Sequence, residues 1–259
     1  MMTSPYRQDL LSGRVALVTG ASSGLGAHFA RVLAAHGAAV ACCARRTDKL
    51  ETLVAEITKD GGQALAVEMD VTDESSVEDA FETAARALGT VTVLINNAGL
   101  ASTDKALELD METWNKVMAT NLTGAWTVAQ RAAKDMVAAK RSGVIVNIAS
   151  ILSLRQAGGV LPYAVSKAGL GQMTKSLALE WARHGIRVNA MAPGYIETDL
   201  NRAFLQSEPG QALMKRVPQR RFGKPEDLDG ALLLLSSDAS DFMTGEVVAV
   251  DGGHLVNTL

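Results

Sequence analysis

Cysteine, histidine, aromatic residues, net charge and long apolar runs are all scarce in this chain, and each scarcity removes a class of function. Only two cysteines occur in 259 residues, Cys42 and Cys43. Neighbours on an extended strand point to opposite sides, so the pair reads as two small apolar strand residues, not a disulfide. Such sparse cysteine fits a reducing compartment. The four histidines, His28, His36, His184 and His254, have no metal-ligand spacing and read as structural or solvated. Aromatics are 4% of the chain and the net charge is -3. That is too little for a base-stacking surface or for a field that attracts nucleic acid or anionic membrane. No apolar stretch approaches the roughly 20 residues of a membrane helix. The opening residues, MMTSPYRQDLLSGR, lack the apolar centre of a signal peptide. The expectation is a cytoplasmic protein with a small-molecule substrate, no nucleic acid and no membrane partner.

What is present is a regular alternation. Short runs rich in Val and Ile, at Val15–Thr19, Ala39–Ala44, Ala64–Asp70, Val91–Asn96, Val144–Ala149, Arg187–Met191 and Val247–Val250, carry little polar/apolar alternation. Strands covered on both faces read this way. Between them lie helical segments at Leu25–His36, Asp48–Lys59, Glu74–Leu88, Met111–Ala139, Pro162–His184 and Pro225–Ser236. Asp73 and Asp110 stand where N-caps belong, and Gly37, Gly61, Gly89 and Gly185 where helices stop. The pattern predicts one α/β domain over residues 1–259, a doubly wound, Rossmann-like, seven-stranded parallel sheet with helices on both faces. Glu197–Lys224, with Pro209, Gly210 and Pro218, fits short helices forming a lid over a site.

The first strand runs into Thr19-Gly20-Ala21-Ser22-Ser23-Gly24-Leu25-Gly26 and then a helix. Such a turn aims backbone N–H groups and a helix N-terminus at a phosphate pair. Gly20 allows the tight turn, Gly24 the close approach of a pyrophosphate, and Gly26 close helix–strand packing. The plain alternative is a glycine turn kept for packing alone. The spacing is G-x-x-x-G-x-G, and with Asn96-Asn97-Ala98-Gly99, Asn121, Ser150, Tyr163-Ala164-Val165-Ser166-Lys167 and Pro193-Gly194 with Thr198 the chain resembles the short-chain dehydrogenase/reductase superfamily. The resemblance spans about Gly13 to Gly253.

An acidic residue about 20 residues past such a turn binds the adenosine ribose 2′-hydroxyl in NAD(H) proteins. Here that count from Gly24 reaches Ala44, followed by Arg45 and Arg46, and no carboxylate. A guanidinium pairs with a 2′-phosphate, which a carboxylate would repel. The expected cofactor is therefore NADP(H), with Arg45 on the phosphate and Arg46 over the adenine; NAD(H) is the weaker alternative. The resemblance further implies adenine contacts at Asp70 and Val71, ribose contacts at Asn97, Ala98 and Gly99, and nicotinamide contacts at Ile196 and Thr198 after Pro193-Gly194.

Tyr163 and Lys167 are spaced to share one helical face. An ammonium near a phenol favours the phenolate, so Lys167 is expected to lower the Tyr163 pKa. Ser150, at a strand end, can hydrogen-bond a substrate oxygen beside Tyr163. Asn121 is a polar residue inside a long helical segment; the resemblance implies that it bends that helix and holds a water linking Lys167 to solvent. These four are the candidate catalytic residues. The resemblance implies hydride transfer between the nicotinamide and a carbonyl or secondary alcohol, as a ketone reductase or alcohol dehydrogenase, with Lys167 also on the nicotinamide ribose.

The substrate region is expected among Ile151, Leu152, Leu154, Val160, Leu161, Tyr195, Leu200, Phe204 and Leu205, an apolar set favouring small or medium ketones. The basic run Lys215, Arg216, Arg220, Arg221 and Lys224 is either a solvated lid surface or a contact for an acidic partner. The second case would make the chain a 3-oxoacyl reductase on carrier- or CoA-linked chains. A non-catalytic NADP(H) sensor conflicts with the complete Ser150/Tyr163/Lys167/Asn121 set. A sugar-nucleotide epimerase needs a longer C-terminal region. The resemblance also implies a homotetramer, with Met111–Ala139 and Pro162–His184 forming the main interface and Val247–Leu259 a second.

Overall fold

Seven strands build one parallel sheet: β1 (Val15–Thr19), β2 (Ala39–Ala44), β3 (Gln63–Glu68), β4 (Val93–Asn96), β5 (Gly143–Ile148), β6 (Ile186–Pro193) and β7 (Val247–Val250). Their order is β3-β2-β1-β4-β5-β6-β7. The direction of strand succession reverses between β1 and β4, where a doubly wound sheet opens a crevice at its carboxyl edge. The structure, a computed structural model, describes residues 7–199 and 201–256.

The helices are α1 (Gly24–Ala35), α2 (Thr47–Lys59), α3 (Glu74–Leu88), α4 (Met111–Met118), α5 (Ala125–Ala138), α6 (Leu161–Trp181), α7 (Arg202–Gln206), α8 (Glu208–Met214) and α9 (Asp229–Ser236). They fall on two sides because successive strand residues do. On one side Phe29 and Leu33 of α1, Leu50 of α2 and Leu232 of α9 pack on Ala16 and Val18 of β1. On the other, Phe81 of α3, Val128 and Met136 of α5 and Leu177 of α6 pack on Val15 and Leu17. Cys42 and Cys43 separate in the same way, one into each core, and both are free thiols. Burial pushes the Cys42 thiol up to about 12, which leaves it unreactive.

The expected caps are in place. The Asp73 carboxylate accepts from the Ser75 and Ser76 amides, and Asp110 from Thr113. Gly89 (φ 99°) ends α3, and Gly185 (φ 70°) ends the turn that follows α6. The segment Met111–Ala139 differs from one continuous helix. It is α4 and α5 joined by a π-helical turn, Ala119–Gly124, which contains Asn121. Smaller differences lie at strand ends: β3 stops at Glu68 and β6 continues to Pro193. Residues 197–224 hold two short helices, α7 and α8, as expected of that stretch. Among the described residues no helix is long and apolar enough to cross a membrane, and no cluster of potential metal ligands occurs.

Candidate active site

The carboxyl ends of β1 and β4 are tied before any ligand is considered. Thr19 Oγ1 accepts from the Asn97 and Ala98 amides, both at 2.9 Å, and Asn97 Nδ2 donates to the Thr19 carbonyl at 2.9 Å. Two glycines make this possible. A Cβ on Gly20 would lie 3.0 Å from the Ala98 Cα, and one on Gly26 only 2.3 Å from the Gly20 carbonyl oxygen. Gly26 therefore serves packing, as its spacing suggests, and does not line the cleft. A Cβ on Gly24 would meet nothing within 4 Å, so that side of the turn faces open space.

A cleft of about 680 Å³ runs along these strand ends. Its walls include Gly20, Ser22, Ser23, Gly24, Leu25, Arg45, Arg46, Asp70, Val71, Asn97, Ala98, Gly99, Pro193, Gly194, Ile196 and Thr198. Apart from Gly26, every expected cofactor contact borders it. Ser150, Tyr163 and Lys167 border the same space. The volume sits within the range of small-molecule sites, roughly 300–1,000 Å³. The glycine turn leaves room where a side chain would collide. The residues present thus fit a dinucleotide.

The two arginines meet different partners along the cleft. Arg46, at the start of α2, donates to Ser22 Oγ and Ser23 Oγ of the glycine turn, both at 2.9 Å. Arg45 leans to the exit of β3, where its guanidinium lies 3.7 Å from the Asp70 carboxylate.

Lys167 is buried, and its Nζ donates to the Ile148 carbonyl at 2.7 Å. Loss of water around this ammonium lowers its pKa to about 8. Its Nζ stands 5.7 Å from the centre of the Tyr163 ring. The expected lowering of the Tyr163 pKa is not what the structure holds. Burial raises it, the Ser150 hydroxyl works against that rise, and the nearby Tyr195 phenol adds to it. Desolvation of the phenolate is the largest of these effects. Tyr163 is therefore held as a neutral phenol through neutral pH, the form that can give a proton.

Asn121 does not border the cleft. Its Oδ1 accepts from the Leu100 amide at 2.9 Å, and its Nδ2 donates to the Leu100 carbonyl at 2.8 Å and to Ser166 Oγ at 3.1 Å. Ser166 Oγ in turn donates to the Tyr163 carbonyl at 2.7 Å. The side chain thus acts as a brace that joins the loop after β4 to α6. The bend in the helix is the π-turn itself.

Of the expected substrate residues, Ile151, Leu152 and Tyr195 border the cleft. Leu154, Leu161 and Phe204 are exposed instead, and Leu205 is buried. Val160 does not border the cleft, and Leu200 lies outside the described residues. Sequence reasoning missed Leu100, Ala101, Thr120 and Asn201, which do border it. Asn201 staples its own loop: Oδ1 accepts from the Thr198 amide and Nδ2 donates to the Ile196 carbonyl, both at 2.8 Å. An Asn three residues after Thr198 in an irregular stretch is a local turn signal that could have found it. The basic run does not act as one field. Arg221 is paired with Asp227 at 2.6 Å, and Arg220 turns back to the Lys215 carbonyl.

Comparison with known proteins agrees with this geometry. A family model described as enoyl-(acyl carrier protein) reductase matches residues 20–254. Gluconate 5-dehydrogenase of Gluconobacter oxydans is 38% identical over 248 residues, covering 95% of this chain and 96% of that protein. Cis-4-hydroxycyclohexanecarboxylate dehydrogenase of Sinomonas cyclohexanicum is 42% identical over 250 residues, covering 95% and 98%. The crystal structure of a gluconate 5-dehydrogenase from Burkholderia cenocepacia, in complex with NADP and tartrate, superposes with a TM-score of 0.92 at 36% identity. It covers 97% of this chain and 98% of that one.

Proposed function

This chain belongs to the short-chain dehydrogenase/reductase superfamily, and from that premise we propose that it is an NADP(H)-dependent oxidoreductase interconverting a carbonyl group and a secondary alcohol. The observation that carries the reading is the convergence of Ser150, Tyr163 and Lys167 on the one cleft that also contains the glycine turn. The Gly20–Gly26 turn and the α1 N-terminus receive the pyrophosphate. Arg46 with Ser22 and Ser23 receives the 2′-phosphate, and Arg45 with Asp70 flanks the adenine, beside Val71. Asn97, Ala98, Gly99, Ile196 and Thr198 line the ribose and nicotinamide end.

The bound cofactor supplies hydride donation and acceptance. Ser150 holds the substrate oxygen beside the phenol. Tyr163 gives its proton to that oxygen in reduction and takes it back in oxidation. Lys167, fixed by the Ile148 carbonyl, holds the nicotinamide ribose and positions positive charge where the phenolate forms. Asn121 positions α6 through Leu100 and Ser166. We take residues 1–259 as one domain with a lid at 197–224, assembled as a homotetramer. The sparse, buried thiols fit residence in the cytoplasm.

The test is a screen of NADPH oxidation across ketones, diketones, keto acids and acetoacetyl thioesters, repeated with NADH. Turnover with NADPH is expected, and Tyr163→Phe should lower kcat by about 10²–10⁴-fold while leaving NADPH binding intact. A Tyr163→Phe variant with near-normal kcat overturns the reading. Activity confined to thioesters would move the substrate to acyl chains.

A further inference from the structure

A line of buried polar side chains links β4, β5, α5 and α6 behind the catalytic lysine. Asn96 of β4 and Asn147 of β5 stand opposite each other in the sheet. Asn96 Nδ2 donates at 2.9 Å to the carbonyl of Ala125, where α5 leaves the π-turn, and at 3.0 Å to Asn147 Oδ1. Asn147 Nδ2 donates to Thr174 Oγ1 of α6 at 2.9 Å, and the Thr174 hydroxyl donates to the Leu170 carbonyl at 2.8 Å. All three side chains are buried, and none of them borders the cleft.

Burying three polar side chains costs desolvation that leucine or valine would not incur, and a fully bonded chain of them specifies one arrangement. The bonds here run one way, each residue accepting from the one before and donating to the next. What they fix is the seat of Lys167. Thr174 follows Lys167 by two turns of α6 and faces the sheet as it does. Asn147 precedes Ile148, whose carbonyl accepts from Lys167 Nζ at 2.7 Å. Two ties therefore join consecutive residues of β5 to one face of α6: Asn147 to Thr174, and Ile148 to Lys167. The second tie is under load, because loss of water lowers the Lys167 pKa to about 8 and the ammonium gains by withdrawing towards solvent. Apolar packing holds α6 on the sheet but is non-directional. The Asn147–Thr174 bond is the directional one.

We propose that Asn147 and Thr174 are positioning residues of the active site: with Asn96 they set the seat of α6 on β5, and through it they hold the Lys167 ammonium at the Ile148 carbonyl and at the cofactor. The inference rests on the oxidoreductase reading, in which Lys167 holds the nicotinamide ribose. Loss of the Thr174 hydroxyl is then felt at the nicotinamide end of the cleft, which Thr174 does not border, and only while Lys167 is there to be displaced.

NADPH affinity, read by fluorescence titration, tests this in a double-mutant cycle. Thr174→Val keeps the shape and removes the bonds; it should weaken NADPH about tenfold, the effect of one misplaced hydrogen bond to a charged group. Thr174→Ser, which retains the hydroxyl, should stay within about twofold of the native protein. In the Lys167→Met background Thr174→Val should add no further loss, because no ammonium is left to displace. Lys167→Met keeps measurable affinity, since the glycine turn and Arg46 lie elsewhere in the cleft. Circular dichroism reports folding. Thr174→Ala, with room for a water beside Asn147, takes the place of Thr174→Val in the cycle should the valine protein not fold. Losses that add across the two sites give Thr174 a general structural role and overturn the proposal. So does native NADPH affinity in Thr174→Val, or an equal loss in Thr174→Ser. Native NADPH affinity in Lys167→Met overturns the underlying role of Lys167 instead.

Discussion

Lys167 shows how one residue couples stability to function. Its ammonium is buried against the Ile148 carbonyl, and its pKa falls from the usual 10.5 to about 8. A folded-state pKa below the unfolded one means that the unfolded chain binds the proton more readily. Stability is therefore depressed below pH 8, where both states carry the charge. It recovers as pH rises from 8 towards 10.5, by about 3 kcal/mol at most. Urea unfolding at pH 7.5 and 9.5 should show this gain in the native protein relative to Lys167→Met, in which it should vanish. An identical pH response in the two would refute the buried ammonium. The arginines give a second prediction at this scale. Arg46 touches both serines of the glycine turn, while Arg45 is turned to Asp70. Arg46→Ala should weaken NADPH roughly 10–100-fold with little effect on NADH, the loss expected for a charge-assisted hydrogen bond. Arg45→Ala should do markedly less. Fluorescence titration with both nucleotides decides, and a larger NADPH loss in Arg45→Ala would restore the order expected from sequence.

The β1-to-α1 connection is the element on which the cofactor reading depends. Gly26 lies in the first turn of α1, so close to the end of β1 that an added methyl would reach the Gly20 carbonyl at 2.3 Å. Backbone cannot yield there as a flexible side chain would. Gly26→Ala should cost about 1–3 kcal/mol in urea unfolding and weaken NADPH and NADH together, because it displaces the pyrophosphate turn and not the 2′-phosphate nook. Selective loss of NADPH alone would contradict that. This turn was legible in the sequence because its glycines punctuate a strand and a helix. The caps at Asp73 and Asp110 were legible for the same reason: short-range backbone chemistry fixes them. The π-turn was not, since a polar residue in a helix flags Asn121 without revealing that Leu100 and Ser166 claim its bonds. Nor was the direction of Arg45 and Arg46, which depends on partners distant in sequence, Ser22 and Ser23 for one and Asp70 for the other. The Tyr163 pKa is set first by burial, which tertiary packing decides, so spacing along α6 alone gave the wrong direction for it.

The molecule as a whole leaves one side unfinished. Helix α6 carries Tyr163 and Lys167 on the face towards the sheet, yet its outer face is also apolar: Leu161, Val165 and Leu179 are 42%, 37% and 84% exposed. Beside it, Trp126 of α5 stacks on Trp181 of α6 with ring centres 6.2 Å apart and is itself 37% exposed. A helix apolar on both faces is stable in water only when something covers the second face. A second copy of the same helix pair offers a self-complementary cover across a two-fold axis. Sedimentation at micromolar concentration should therefore give the mass of two chains or, with the second interface expected at Val247–Leu259, of four, and Leu179→Lys combined with Val165→Glu should shift it to smaller species. Because the paired face belongs to the helix that holds the catalytic phenol, the dissociated variant should lose turnover before it loses secondary structure. A native protein that sediments as a single chain, or a dissociated variant with full activity, would separate assembly from catalysis in this enzyme.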